Sequence, residues 1–512
     1  MNFTKLRNIG IVVAVLPILI FVGVKVFVNV PQLSGSVLGA NTQLINVGVN
    51  FSQKTSDSSP LLFGGVHAPE PADKFVWDTV SDIGVNLLRS DFFIEYCGPK
   101  NITIADYKQN VNEIQDTRNW TKSCLSTVSQ IYSNAKKRNM KVTAVVAYTP
   151  PWLTKSGQPK DLPMDWEVYE DLVMKMYKLN REYIDYVEVW NEPDHPNFLQ
   201  TGNKDKEADY LLLYQHISKA IKRVDDEAND GKRALIGGPA ISCTCHLSFV
   251  ERLLQDPSTR GNIDFVSVHS YGENDQNLPK VRQLMKKYGY GDLPLYVSEW
   301  NKTSIANNDR PYNQTYLAVG YTTGRLIEFL NNDVDMAAYF SLRPNDPSNS
   351  LPERQAYGFY RKEGAKYRIF PQQWVWQLLS KNLQLGQVPS EIFKSETTNP
   401  EPSAVLGFGN ASVKGVVVNN PGSNSTVNFT GYKLGERGQR YIVEVSKITE
   451  KGLQSGFCVQ RITLDSTDAK FKFEAPAKSV VAVEIKKSDS SLAELSKILA
   501  PTTQNNCLSF EE

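Results

Sequence analysis

Ile184-Asp185-Tyr186-Val187-Glu188-Val189 is a short β-rich run that ends in Trp190-Asn191-Glu192-Pro193-Asp194. Its reading decides the fold, because seven more runs of the same texture share the region: residues 61–67, 85–90, 141–147, 234–238, 263–269, 293–299 and 336–341. Each is short and apolar, which predicts a buried strand. Between them lie longer stretches, such as 165–182, 208–224 and 314–330, with apolar residues at three- and four-residue spacing, which predicts helices. Eight alternating units predict an α/β chain folded as a (β/α)8 TIM barrel over residues 61–390. A doubly wound open sheet is the competing arrangement, but no Gly-rich phosphate loop follows the first strand.

After residue 390 the texture changes. Short β-rich runs at 404–408, 413–418, 427–429, 441–445, 462–464, 471–473 and 479–485 are separated by Gly, Pro, Asn and Ser. They predict an antiparallel β-sandwich over 391–487. Residues 41–60 hold a further strand pattern at 43–51 that is expected to return and join that sandwich, and 488–512 reads as a short helix and a tail.

Five hundred and twelve residues exceed one compact domain, which fits this partition. A chain that is 41% hydrophobic and 22% charged, with 32 Gly and 27 Pro, is neither disordered, collagen-like nor a polytopic membrane protein. Fifty-six basic against 55 acidic side chains leave a net charge of +1, so no electrostatic case exists for a nucleic-acid partner.

Residues 1–40 stand apart. Lys5 and Arg7 precede an apolar run over 9–24 that resumes after Lys25. It is long for a signal-peptide core and short of the roughly 20 residues of a membrane span. A signal peptide or a signal-anchor, with a membrane tether through residues 9–30, is expected, and a buried core helix is the alternative. Either of the first two makes the rest of the chain extracytoplasmic. Six cysteines then permit disulfides, with Cys97–Cys124 and Cys458–Cys507 the local pairings and free buried thiols the alternative. Cys243-Thr244-Cys245 lacks the second ligand cluster a metal site would need, and sequons such as Asn101, Asn119 and Asn428 decide nothing.

In a (β/α)8 barrel the catalytic groups gather where strands end at the C-terminal face. The fourth run ends in Glu192 and the seventh, Leu293-Pro294-Leu295-Tyr296-Val297-Ser298, ends in Glu299-Trp300-Asn301. One strand-end Glu alone reads as a solvated loop carboxylate. Two, from opposite sides of the barrel and each flanked by Trp and Asn, supply what glycosidic cleavage needs: one group to protonate the leaving oxygen and one to attack the anomeric carbon.

Trp190-Asn191-Glu192-Pro193 resembles the acid/base motif of retaining glycoside hydrolases of clan A, and Ser298-Glu299-Trp300-Asn301 resembles that clan's nucleophile strand. Residues 188–198, Ile236-Gly237-Gly238-Pro239-Ala240 and Asp264-Phe265-Val266-Ser267-Val268-His269-Ser270-Tyr271 are together most similar to glycoside hydrolase family 39, which includes β-xylosidases and α-L-iduronidases. The resemblance implies Glu192 as acid/base, Glu299 as nucleophile and Asn191 as the partner of the sugar 2-hydroxyl. It sets Arg89 beside the nucleophile, with His269 and Tyr271 touching the nucleophile and the sugar. Arg89 as a salt-bridge partner of Asp91 or Glu95, and His269 as a hydrogen-bonded core histidine, are the plainer readings. His67, ending the first run, is placed to line the same pocket.

Trp152 and Trp300 are sugar-stacking candidates, with ordinary packing the alternative for both. Clan members often carry a Trp at the end of strand eight, where this chain has Ala338-Tyr339-Phe340-Ser341-Leu342-Arg343. Phe340 or Tyr339 is then the expected apolar wall, and Arg343 a group placed to approach an anionic sugar.

The expectation is a retaining glycosidase that is β-xylosidase-like or a related exo-enzyme, acting on an oligo- or polysaccharide with no metal and no cofactor. A family 5- or family 51-like endo-glucanase or arabinofuranosidase, or a non-catalytic glycan-binding surface protein, are the alternatives.

Overall fold

Eight parallel strands close into a barrel in the computed structural model of the chain. They are β2 Gly64–Val66, β3 Leu87–Asp91, β4 Lys141–Val146, β5 Tyr186–Val189, β6 Leu235–Ile241, β7 Phe265–Tyr271, β8 Leu295–Asn301 and β9 Met336–Tyr339. Each overlaps one of the eight expected runs, and β3, β6, β7 and β8 extend one to three residues beyond theirs. The structure describes residues 43–109, 120–303, 315–343, 358–363, 366–397, 404–488 and 508–510. The expected leader or anchor over 9–30 and the expected terminal helix lie outside the described residues, as does Asn119. Among the described residues no helix is long and apolar enough to cross a membrane.

Two of the longer helices between the strands start where an aspartate accepts from an otherwise unpaired amide. Asp165 accepts from Val168 N at 3.1 Å and opens helix Trp166–Asn180. Asp205 accepts from Ala208 N at 2.9 Å and opens helix Lys206–Ala228. Apolar faces of these helices bury Leu172, Val173, Leu213 and Ile217 against the barrel.

Alternation along the strands splits the barrel interior into two layers. Leu87, Phe265, Tyr296 and Met336 form an apolar cluster with Tyr186 packed against it. Two residues further on, the same faces carry Arg89 and Glu188, both buried. The apolar layer is therefore a floor, and the polar layer above it faces the C-terminal mouth.

Ten of the remaining strands form one sheet, and the other two pair separately as a hairpin. The hairpin is β10 (Tyr360–Glu363) and β11 (Lys366–Ile369), and the ten-stranded sheet takes in β1 Gln43–Ser58, β12 Ser390–Thr397, β13 Ala404–Gly409, β14 Val413–Asn420, β15 Ser425–Tyr432 and β16 Arg440–Thr449. It continues with β17 Gly452–Thr463, β18 Ala469–Ala475, β19 Ser479–Lys487 and β20 Leu508–Phe510. Strand β1 lies inside it, antiparallel to β12 and parallel to β15, so one pairing departs from the antiparallel sheet the sequence suggested. Ile45, Val47 and Val49 of β1 share one core with Val416, Val418, Val443, Val481 and Phe471, which makes the folded-over sheet a sandwich. The alternate residues Val417, Val480 and Ala482 join the barrel's core instead. Burial on both faces is why 416–418 and 480–483 are unbroken apolar runs.

Cys97 and Cys124 are bonded, as their spacing suggested. Cys458 is also disulfide-bonded, and its expected partner Cys507 lies outside the described residues. Cys243 and Cys245 are bonded to each other, a pairing absent from the sequence expectations.

Candidate active site

Arg89 organises the mouth. It leaves β3 buried, and its guanidinium donates in three directions: Nε to Glu188 Oε2 at 2.6 Å, Nη1 to Glu299 Oε1 at 2.7 Å and Nη2 to Asn191 Oδ1 at 2.8 Å. Only the planar fork of an arginine reaches three acceptors in this way. Burial opposes the charge, but Glu188 and Glu299 outweigh it and raise its pKa further above the ordinary value. Asp91 and Glu95, its expected structural partners, are not the ones it holds.

Glu299 is buried near the end of β8 and accepts from Tyr271 Oη at 2.6 Å as well as from Arg89. Burial pushes its carboxyl up, while His269, Arg89 and Tyr271 together pull it below the usual value of 4.5. It is therefore an anion across the neutral range. Burial first and then the Glu299 charge hold the Tyr271 hydroxyl well above its ordinary range, so it stays a donor.

Glu192 sits across the mouth. His269 Nδ1 lies 2.9 Å from Glu192 Oε1 and 3.5 Å from Glu299 Oε2. One atom from each of Glu192, His269 and Glu299 falls within 4.8 Å of the others. Burial depresses the imidazole, but the two carboxylates prevail and raise it above 6.5. The three groups also have the spacing a small cation would need. A raised imidazole with one nitrogen facing both carboxylates is equally suited to proton sharing, which needs no metal.

The backbone here is held in rarely used conformations. Trp190 and Glu192 have φ of +66° and +47°, and Ala240 on the adjoining strand has φ of +52°. Left-handed non-glycine residues are costly and cluster at functional sites. The Glu192 amide is secured by a bond to Ala240 O at 3.0 Å, and Trp190 is buried with its Nε1 donating to Phe198 O.

The other expected residues divide. Asn191, Arg89, His269 and Tyr271 converge on the two glutamates, as described. His67 packs edge-on against Phe340 at 5.0 Å, and Phe340 packs against Tyr271 at 6.1 Å, so the three form one wall. Burial keeps the His67 imidazole below its usual value, although Asp91 and Glu299 oppose this.

Trp300 is a correction. It is fully buried, stacked on Trp376 at 5.9 Å and enclosed by Tyr339 and Phe329, so it has no face for a sugar. Alternation explains it: in β8 the neighbour of an inward Glu299 points outward into the helices. Tyr339 is buried in the same cluster, leaving Phe340 as the wall. Trp152 is half-buried, stacked on Tyr107, with Nε1 donating to Pro99 O at 2.7 Å. Arg343 is paired with Glu70 at 2.7 Å, so its charge is already met.

Two residues escaped the sequence reading. Glu188 shows only as a carboxylate inside an apolar run, a signal that marks a buried charge needing a partner. Tyr148 makes a side-chain hydrogen bond with Asn191 and packs edge-on against Trp190 at 5.1 Å. It carries no sequence signal beyond following a strand.

Comparison with known proteins points to glycosyl hydrolases. Residues 165–360 match the model of "Glycosyl hydrolases family 39". A β-xylosidase of Geobacillus stearothermophilus is 26% identical over an alignment covering 38% of this chain and 42% of that protein, so the match spans under half the length of the relative. Among solved structures, a glucosidase from Croceicoccus marinus superposes with a TM-score of 0.63 at 14% identity, covering 88% of this chain and all of that one. A monomeric β-xylosidase from Caulobacter crescentus gives 0.60 at 14% identity, covering 87% of this chain and 99% of its own. At such identity the structural likeness speaks for the fold, and the family model speaks for the sequence around Glu192 and Glu299. Residues 165–360, which carry Glu192 and Glu299, are similar to glycosyl hydrolase family 39.

Proposed function

We propose that the chain is a retaining glycosidase, β-xylosidase-like in substrate class, with Glu299 as nucleophile and Glu192 as acid/base. The observation that carries this reading is that one oxygen of Glu192 and one of Glu299 lie within 4.8 Å of each other, in unlike surroundings, an approach that favours the closer of two known arrangements. Retaining enzymes hold the pair about 5–5.5 Å apart, whereas inverting enzymes need about 6.5–9.5 Å to admit a water. In the first step a Glu299 oxygen bonds to the anomeric carbon as the glycosidic C–O bond breaks, and Glu192 passes its proton to the departing oxygen. In the second, Glu192 takes a proton from water, the water oxygen bonds to the anomeric carbon, and Glu299 leaves. Asn191 is held by Arg89 through its oxygen, which turns its amide nitrogen towards hydrogen-bond acceptors such as a 2-hydroxyl.

The test is a panel of aryl glycosides, xylosides included, with the anomer first released identified by NMR. The expected product keeps the substrate's configuration, and Glu299→Ala loses at least about a thousandfold in kcat. Added azide should restore turnover of activated substrates by Glu192→Ala. An inverted first product would overturn double displacement, and inertness of the wild type towards every glycoside would favour a glycan-binding surface protein. The Cys97–Cys124 bond supports an extracytoplasmic place of work, since such bonds persist in oxidising compartments. Free thiols at both positions in protein isolated from its host would argue against that placement.

A further inference from the structure

The segment 242–246, between β6 and helix Leu247–Gln255, is closed on itself by the Cys243–Cys245 bond. A bond between residues two apart restricts the unfolded chain far less than Cys97–Cys124, which spans 27 positions. Its effect is therefore local, and the local contacts lead to the catalytic groups on two sides.

On one side is Asp194, two residues after Glu192. Its buried carboxylate accepts from Ser242 N at 2.8 Å and Ser242 Oγ at 2.6 Å, and lies 2.6 Å from His246 Nδ1. These partners flank the two cysteines. With the Glu192 amide bonded to Ala240 O, they fasten the strand-five loop to the strand-six loop along its length. On the other side, Thr244, between the cysteines, donates to Asp275 Oδ1 at 2.6 Å, and Asp275 Oδ2 accepts from Ser270 Oγ at 2.7 Å. Ser270 separates His269 from Tyr271, the two residues in contact with Glu299 and Glu192.

We propose that segment 242–246 is a positioning clamp, set by the Cys243–Cys245 bond, that holds Glu192 in its left-handed conformation, and that reduction of this bond releases it. Asp194 is the positioning residue through which it acts. A left-handed non-glycine residue persists only where its surroundings over-determine it, and the clamp supplies that constraint. Cys245 is exposed and Cys243 half-buried, so a small dithiol has access. In the reaction the S–S bond breaks, each sulfur gains one electron and one proton, and the dithiol closes to its own disulfide. The catalytic part of the inference rests on Glu192 being the acid/base; the mechanical part does not.

The experiment uses the full chain in three forms: oxidised wild type, Cys243→Ser/Cys245→Ser with Cys97–Cys124 intact, and Asp194→Asn with both cysteines retained. Hydrogen exchange of the amides over 192–195 should be faster by roughly tenfold or more in both variants. Their kcat should fall by about 5- to 20-fold on aryl glycosides with poor leaving groups, and by much less on activated ones, because only the former need the proton from Glu192. Dithiothreitol should reproduce the steeper leaving-group dependence in wild type, leave the double-serine variant unchanged, and be reversed by reoxidation. A clamp that merely stabilised the fold would lower all substrates alike. Unaltered exchange in a folded double-serine variant overturns the proposal, as does unaltered leaving-group dependence. If no glycoside is hydrolysed by the wild type, the glycosidase reading falls and the exchange measurement alone decides the clamp. Should the double variant not fold, Asp194→Asn and the dithiothreitol-treated wild type carry the same decision.

Discussion

Arg89 shows how one side chain sets the charge state of a whole site. It holds Glu299 as an anion, fixes Asn191 and neutralises Glu188 in the barrel interior. Arg89→Met, which keeps the bulk, leaves Glu188 buried without its partner and should cost about 3–5 kcal/mol in chemical denaturation. The same change removes a charge that lowers Glu299, so the acid limb of the kcat/KM profile should move to higher pH. The sign for stability is separate. A carboxylate depressed in the fold contributes stability that is complete above about pH 4.5 and is lost as pH falls through its folded-state value. His269, raised in the fold, contributes stability that is complete below about pH 6.5 and is lost as pH rises through its own. Denaturant midpoints of His269→Asn and wild type should therefore converge as pH is raised from 6 to 9. A gap that widens over that range would contradict the raised imidazole. At this scale Glu192 and Glu299 were legible because each ends an apolar run. Trp300 misled because it shares that position while pointing to the other face of β8.

Strand β6 illustrates what an element demands of its residues. A Cβ on Gly237 would lie 2.4 Å from Phe265 O on the adjoining strand, and a backbone atom there has little room to yield. Gly237→Ala should therefore destabilise by about 1–3 kcal/mol through overpacking. Unchanged thermal unfolding would mean that β6 and β7 separate more easily than their pairing indicates. The strands of the barrel were legible because burial on both faces makes them continuous apolar runs. Strand β12 was not, because Ser390-Glu391-Ile392-Phe393-Lys394-Ser395-Glu396-Thr397 buries little beyond Ile392 and Phe393. It is a strand through its partners β1 and β13 rather than through its composition.

Across the whole molecule, the chain begins its described part in the sandwich, runs through the barrel and returns to the sandwich. Helix Leu317–Asn331 packs on that sheet, with Asn419 Nδ2 donating to Gly320 O at 2.8 Å and Tyr316 Oη donating to Ile448 O at 3.0 Å. Val417, Val480 and Ala482 are part of the barrel's own core. A shared core and a strand borrowed from the far end of the sequence predict joint unfolding. All 8 Trp lie between positions 77 and 376, so tryptophan fluorescence reports the barrel while far-UV dichroism reports both parts. The two signals should give coincident denaturant transitions. Separated midpoints would show that the barrel and the sandwich are independent.

The sequence by itself determined the eight-fold alternation, the sandwich texture and the two strand-end glutamates. Each of these is written in local pattern: apolar period, run length and the polar residue that ends a run. Only the tertiary structure decided that β1 enters the sheet beside β15, that Glu188 is the third partner of Arg89, and that Trp300 faces the helices. It also decided that a disulfide-closed segment on one loop braces the residue two positions from Glu192 on another. These depend on which residues meet across gaps of tens to hundreds of positions, and pairings at that separation leave no periodic trace in a single chain.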